Sequence, residues 1–129
     1  MLLKIAPDLS ETGLDGIAGV LRAARIDGVV CTNTTLDRAA VADHRHGGEA
    51  GGLSGRPLFA KSTAVLRGMA QRLGPEVPLV GVGGILSGAD AAAKVEAGAA
   101  LVQFYTGMIY RGPHLIGECV EAMRRVATR

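Results

Sequence analysis

The 129 residues suffice for one small domain with a real core, and 48% hydrophobic with 20% charged residues marks a globular chain, not a disordered one. A net charge of +2 without any Lys/Arg run argues against a nucleic-acid partner. No apolar run reaches transmembrane length and the N-terminus lacks a signal-peptide pattern, so membrane association is expected only from sequence outside this stretch.

Residues 2–6 read as a short buried strand that ends at Pro7-Asp8. Ser10 is a helix N-cap, and Leu14, Ile17, Ala18 and Leu21 form the apolar face of a helix running to about residue 24. Asp27-Gly28 turns the chain into a second strand at 29–31, which exits through Thr32-Asn33-Thr34-Thr35. The pattern breaks down over 36–57, a length of loop that is usually functional or mobile. Pro57 opens a helix to about residue 73, with Leu58, Val65, Leu66 and Met69 inward. A third strand at 79–82 runs into Gly83-Gly84, and Ser87 caps an Ala-rich helix that ends near Gly98. A fourth strand at 100–104 closes on Tyr105-Thr106-Gly107. A helical turn at 108–110, a break at Gly112-Pro113 and a last helix over 113–126 complete the chain.

Strand and helix thus alternate four times, which implies an α/β fold with a parallel sheet and right-handed crossovers. An open doubly wound sheet and a (β/α)8 TIM barrel compete. The barrel needs about 250 residues and eight units. This chain has four βα units, which reads as the C-terminal half of a (β/α)8 TIM barrel, a fragment or a stand-alone half.

In such folds ligands gather at the C-terminal ends of the strands. Glycines after an apolar strand, followed by a helix start, present bare amides and a positive helix end, which suit a phosphate. The amides of Gly84 and Gly107 and the hydroxyl of Thr106, in consecutive units, point to one phosphate site. Lys4, charged within an apolar strand, either frays to solvent or points into a barrel mouth to meet an anion. Asn33, flanked by hydroxyls, suits a planar ligand with mixed donors and acceptors, or a turn at the strand exit. His44, His46 and His114 lack ligand spacing and read as solvated, with no metal site. Arg38 and Arg56 read as exposed. Cys31 and Cys119, isolated in a strand-like and a helix-like run, read as reduced thiols without a catalytic role.

Five segments together resemble the quinone-linked (class 2) dihydroorotate dehydrogenases. They are 3–9 (Leu-Lys-Ile-Ala-Pro-Asp-Leu), 32–38 (Thr-Asn-Thr-Thr-Leu-Asp-Arg), 51–58 (Gly-Gly-Leu-Ser-Gly-Arg-Pro-Leu), 81–85 (Gly-Val-Gly-Gly-Ile) and 101–107 (Leu-Val-Gln-Phe-Tyr-Thr-Gly). They fall in family order over nearly the whole chain. The resemblance implies FMN as cofactor, with Lys4 beside the N1/O2 edge of the flavin and Thr32, Ser54 and Gly55 as further contacts. Val82, Gly83, Gly84, Tyr105 and Thr106 would belong to the phosphate side, with Tyr105 also near the path of quinone. Asn33 and Thr34 would contact dihydroorotate or orotate. The implied reaction, in de novo pyrimidine (UMP) biosynthesis, oxidises dihydroorotate to orotate and passes electrons to a quinone.

The resemblance places the catalytic base, a serine, and the membrane-meeting helices in the N-terminal half, so no catalytic residue is assigned here. The full-length enzyme would then sit at the cytoplasmic face of the inner membrane, and this chain alone would be soluble. The expected partners are dihydroorotate or orotate, a quinone for the full-length enzyme, and either the other half-barrel or a second copy of this chain. Two other readings stay open: a non-catalytic, self-associating half-barrel that binds phosphate or flavin, and a fumarate- or NAD-linked FMN barrel oxidoreductase.

Overall fold

The computed structural model describes residues 1–128. Four parallel strands, β1 (Leu2–Ile5), β2 (Gly28–Cys31), β3 (Leu79–Val82) and β4 (Leu101–Gln103), lie in the spatial order β1-β2-β3-β4. The helices are α1 (Glu11–Ala23), α2 (Phe59–Leu73), α3 (Gly88–Glu96), the short α4 (Thr106–Arg111) and α5 (His114–Ala127). Sequence order and spatial order coincide, so every crossover advances the same way and lays its helix on the same face. A doubly wound sheet needs a point at which strand order reverses. None occurs among the described strands, which decides between the two architectures in favour of the barrel type.

The helix starts are local in origin. The Ser10 side chain accepts from the Gly13 amide at 3.1 Å and the Ser87 side chain from the Asp90 amide at 3.2 Å, each satisfying an otherwise orphan donor. Pro57 lies in a 3-10 turn, Arg56–Leu58, that leads directly into α2. Leu14, Ala18 and Leu21 of α1 and Val65, Leu66, Met69 and Leu73 of α2 pack on Val29, Cys31 and Leu79 of the sheet. A smaller cluster joins α3 and α5 through Ile85, Ala91, Leu115 and Cys119.

The register separates the two faces. Lys4 pairs with Val30, Val30 with Val80, and Val80 with Leu101, so these four share the face turned away from the core. Leu2, on the same face, is 56% exposed and Leu101 is 62% exposed. The expectation of a buried first strand is therefore corrected: three of the four β1 residues are exposed, because β1 is an edge strand and no element among the described residues covers its outer face. Parallel sheets are ordinarily covered on both sides.

The long 36–57 connection is tethered. Thr35 and Leu53 form an antiparallel bridge, Thr35 N to Leu53 O at 3.1 Å and Leu53 N to Thr35 O at 2.8 Å. Arg38 donates to the carbonyls of Thr35 and Gly51. Asp8 accepts from the Leu36 amide, the Thr35 hydroxyl and Lys61. Burial pushes the Asp8 carboxyl up, but these bonds and the Lys61 charge outweigh it and hold its pKa below the ordinary value.

Leu66 has no exposed surface, whereas Val20 on α1 is 67% exposed. Leu66→Ala is expected to cost about 2–5 kcal/mol in urea unfolding, and Val20→Ala less than about 0.5 kcal/mol. Equal costs would show that the core is not where the packing puts it.

Candidate functional site

At the C-terminal edge of the sheet lies a cleft of about 110 Å³. That is well below the roughly 300–1,000 Å³ of a pocket for a drug-sized molecule. Its enclosed part is the size of a phosphate group. Each of the eleven site residues expected from sequence lines it. Lys4 comes from the open face of β1, and Thr32, Asn33 and Thr34 from the exit of β2. Ser54 and Gly55 come from the end of the long loop, Val82, Gly83 and Gly84 from the end of β3, and Tyr105 and Thr106 from the entry to α4. Gly107 completes that wall, and Leu58, Ile85 and Phe104 add an apolar floor.

Hydrogen bonds hold these groups in place. The buried Thr32 hydroxyl donates to the Asn33 carbonyl at 2.7 Å, and the Asn33 amide to Ile5 O at 2.8 Å. Both contacts fix the backbone and leave the exposed side chains of Asn33 and Thr34 at the rim. Thr106 donates to Ser54 Oγ at 3.0 Å and so joins the loop to α4. Tyr105 is 80% exposed at the edge of the cleft.

The glycines are demanded by the geometry. Gly83 and Gly84 have φ of 106° and 75°, which a side chain disfavours. A Cβ on Gly84 would lie 2.7 Å or less from backbone atoms of Phe59, and one on Gly107 2.2 Å from Ile85 O. Among the described residues no acceptor is paired with the amides of Gly83, Gly84, Thr106 or Gly107.

One expectation is corrected. The start of α3, which follows the glycine pair, is not available to an anion from outside. Asp90 already occupies it, accepting from the Leu86 amide and from Ser87 Oγ, each at 2.9 Å. Arg56 closes the arrangement with a bidentate pair to Asp90 at 2.8 and 3.0 Å. Arg56 is thus committed to this ion pair, although its side chain remains half-exposed. The unpaired amides that remain are those of the glycine pair and the entry to α4.

Sequence reasoning passed over three groups: Asp90, Ser62 and Lys94. All are buried, and Lys94 entirely so. The signal lay in the spacing. Residues 90, 91, 94 and 97 fall on one side of α3, and two of them are charged. Lys94 Nζ lies 2.6 Å from Ser62 Oγ, and its charge acts on the Cys31 thiol. Burial nevertheless dominates there and pushes the thiol up to about 12. His44, His46 and His114 are exposed, and the described residues contain no cluster of three or more His, Cys, Asp or Glu able to hold a metal.

A family model described as "Dihydroorotate dehydrogenase" matches residues 1–126. The chain is 60% identical over 125 residues to a protein named "Dihydroorotate dehydrogenase (quinone)" from Stenotrophomonas maltophilia (strain K279a). It is 58% identical over 125 residues to one of the same name from Flavobacterium lutescens. Each match covers 97% of this chain and 36% of the relative, so the chain spans about a third of the length of the curated relatives it matches. Two crystal structures of DHODH from Eimeria tenella, one with ferulenol and one ligand-free, superpose with a TM-score of 0.90 at 38% identity. They cover 98% of this chain and 34% and 35% of the respective structures.

Burial pushes the Asp90 carboxyl up, but the bonds from Arg56, Leu86 and Ser87 win and hold its pKa below the ordinary 3.8. A carboxyl lowered in the folded state stabilises fully above its unfolded value and loses that contribution as pH falls through the folded one. Asp90→Asn is therefore expected to cost about 1–3 kcal/mol at neutral pH and to flatten the acid limb of stability against pH. An unchanged acid limb would refute this. Cys31, protonated and buried, is expected to react with a thiol reagent only as fast as the protein opens, read by labelling rate against denaturant.

Proposed function

The chain belongs to the dihydroorotate dehydrogenase family, and from that premise we propose that it forms the FMN-phosphate half of a quinone-linked dihydroorotate dehydrogenase barrel. The observation that carries this reading is convergence. Lys4, Asn33, Gly84 and Thr106 come from four separate strand ends and line one cleft. The donor set fits a flavin mononucleotide: unpaired amides at Gly83, Gly84, Thr106 and Gly107, and two linked hydroxyls, stand where a phosphate would be held.

Held by these residues, FMN would supply two-electron redox chemistry between dihydroorotate and a quinone. The residues of this chain bind and orient. Lys4 presents a cation toward the cleft from the open sheet face and favours negative charge at the ring edge beside it. Asn33 and Thr34 offer donors and acceptors to the ring and carboxylate of the substrate. The Thr32 hydroxyl holds the Asn33 carbonyl and so keeps that side chain at the rim. Tyr105 stands exposed on the side where a quinone would approach.

Proton abstraction is assigned to no residue here, because the resemblance places the base, a serine, outside this chain; the four serines present serve other contacts. Ser10 and Ser87 cap helices, Ser54 accepts from Thr106, and Ser62 accepts from Lys94. Catalysis then needs the part of the family's length that this chain does not span. The uncovered sheet face, with Leu2 and Leu101 exposed, supports pairing with that part. In the full-length enzyme we place the reaction in pyrimidine biosynthesis at the inner membrane. Among the described residues no helix is long and apolar enough to cross a membrane.

The test is a chimera in which these residues replace the matching third of the Stenotrophomonas maltophilia relative. It is expected to purify yellow and to reduce a quinone, but neither fumarate nor NAD, with dihydroorotate. A folded chimera without flavin would overturn the reading. Lys4→Ala in it should lower turnover by about 10²-fold, as for loss of one charge-stabilising donor, and weaken flavin retention.

A further inference from the structure

Among the described residues Lys94 is the largest fully buried side chain, and none of its hydrogen bonds there is to a carboxylate. A buried ammonium without a close counter-charge costs several kcal/mol, and an aliphatic side chain would fill the space without that cost. The surroundings are nonetheless built around it. Gly81 leaves the room it crosses, since a Cβ there would lie 3.0 Å from Lys94 Cβ. Its Nζ lies 2.6 Å from Ser62 Oγ, 3.5 Å from Val82 O, and 4.9 Å from the centroid of the Phe59 ring.

Ser62 connects this charge to the cleft. Its hydroxyl accepts from Lys94 and has one proton to give, with Gly83 O and Phe59 O each 3.1 Å away. The Gly83 carbonyl is thereby drawn toward the core. In a trans peptide the next N–H points the opposite way, so the Gly84 N–H is turned from the core. A donor that is itself charged strengthens each bond of such a chain.

We propose that Lys94 is a positioning residue for the phosphate site: through Ser62 it fixes the Gly83–Gly84 peptide with its N–H toward the cleft, and its charge, set behind that peptide, favours a dianion in front of it. The inference rests on the phosphate reading of the cleft. Burial pulls the Lys94 ammonium down to about 8. Two titratable groups act on it, Cys31 from β2 and Asp90 from its own helix. Cys31 stays protonated and Asp90 ionised throughout mildly alkaline pH. α2 and β3 face it with Ser62, Phe59, Gly81 and Val82, none of which titrates. Between about pH 7 and 9.5 a phosphate monoester remains largely a dianion while Lys94 loses its charge, so affinity should fall with a midpoint near 8.

The experiment is a titration of the 129-residue chain with methyl phosphate, a simple monoester, followed by amide NMR at Gly84 and Thr106 across that pH range. In the native chain both amides should shift, with the alkaline loss of affinity. Lys94→Met should weaken binding roughly tenfold near pH 7 and abolish the alkaline loss. A purely packing role would alter unfolding and leave the pH profile in place. If the native amides ignore phosphate, the phosphate reading falls and the role of Lys94 with it. If they respond and the folded Lys94→Met chain responds alike, only the role of Lys94 falls. Should Lys94→Met not fold, Ser62→Ala decides: weaker phosphate binding upholds the relay, and unchanged binding overturns it.

Discussion

The constraint on which this structure depends is the sequential pairing of four parallel strands. Each strand hydrogen-bonds to the one before it in the chain, and each crossover helix returns on the same side. Two consequences follow at once. All C-terminal strand ends open at one edge, so residues far apart in sequence meet in one cleft. All helices share one face, so the core forms between sheet and helices and the other sheet face stays bare. The site and the uncovered surface thus have one topological cause.

Within that frame the cleft is shaped by a division of labour between two helix starts. The start of α3 is closed by its own Asp90 and by Arg56, which removes one anion site and anchors the loop before α2 to the first turn of α3. The entry to α4 and the preceding glycine pair keep their amides unpaired. Close approach explains why glycine stands at these points, because Phe59 and Ile85 occupy the space of any side chain. The same approach brings Ser62 and the Lys94 ammonium up behind the glycine pair.

Much of this was legible in the sequence because it is written locally. Ser10 and Ser87 cap the helices expected of them, the third strand has the expected bounds, and the residues at the strand exits share one cleft. Alternation of strand and helix gave the class and left a doubly wound sheet in competition with the barrel, which the strand order decides. What stayed hidden was tertiary. Leu2 and Leu3 look like core residues until the sheet edge is seen to be uncovered. The spacing puts Lys94 and Asp90 on the inner side of an Ala-rich helix, but their partners Ser62 and Arg56 come from distant sequence. Arg56 looked free because its partner lies 34 positions away.

The Thr35–Leu53 bridge gives the long connection a closed base. With both ends pinned, the span between them behaves as an appendage whose size is uncoupled from the cleft. Loop closure becomes dearer only slowly with length, by about 0.6 kcal/mol per doubling. Insertions at the exposed residues 42–46 are therefore thermodynamically cheap, and this span is a place for a reporter peptide to be spliced in.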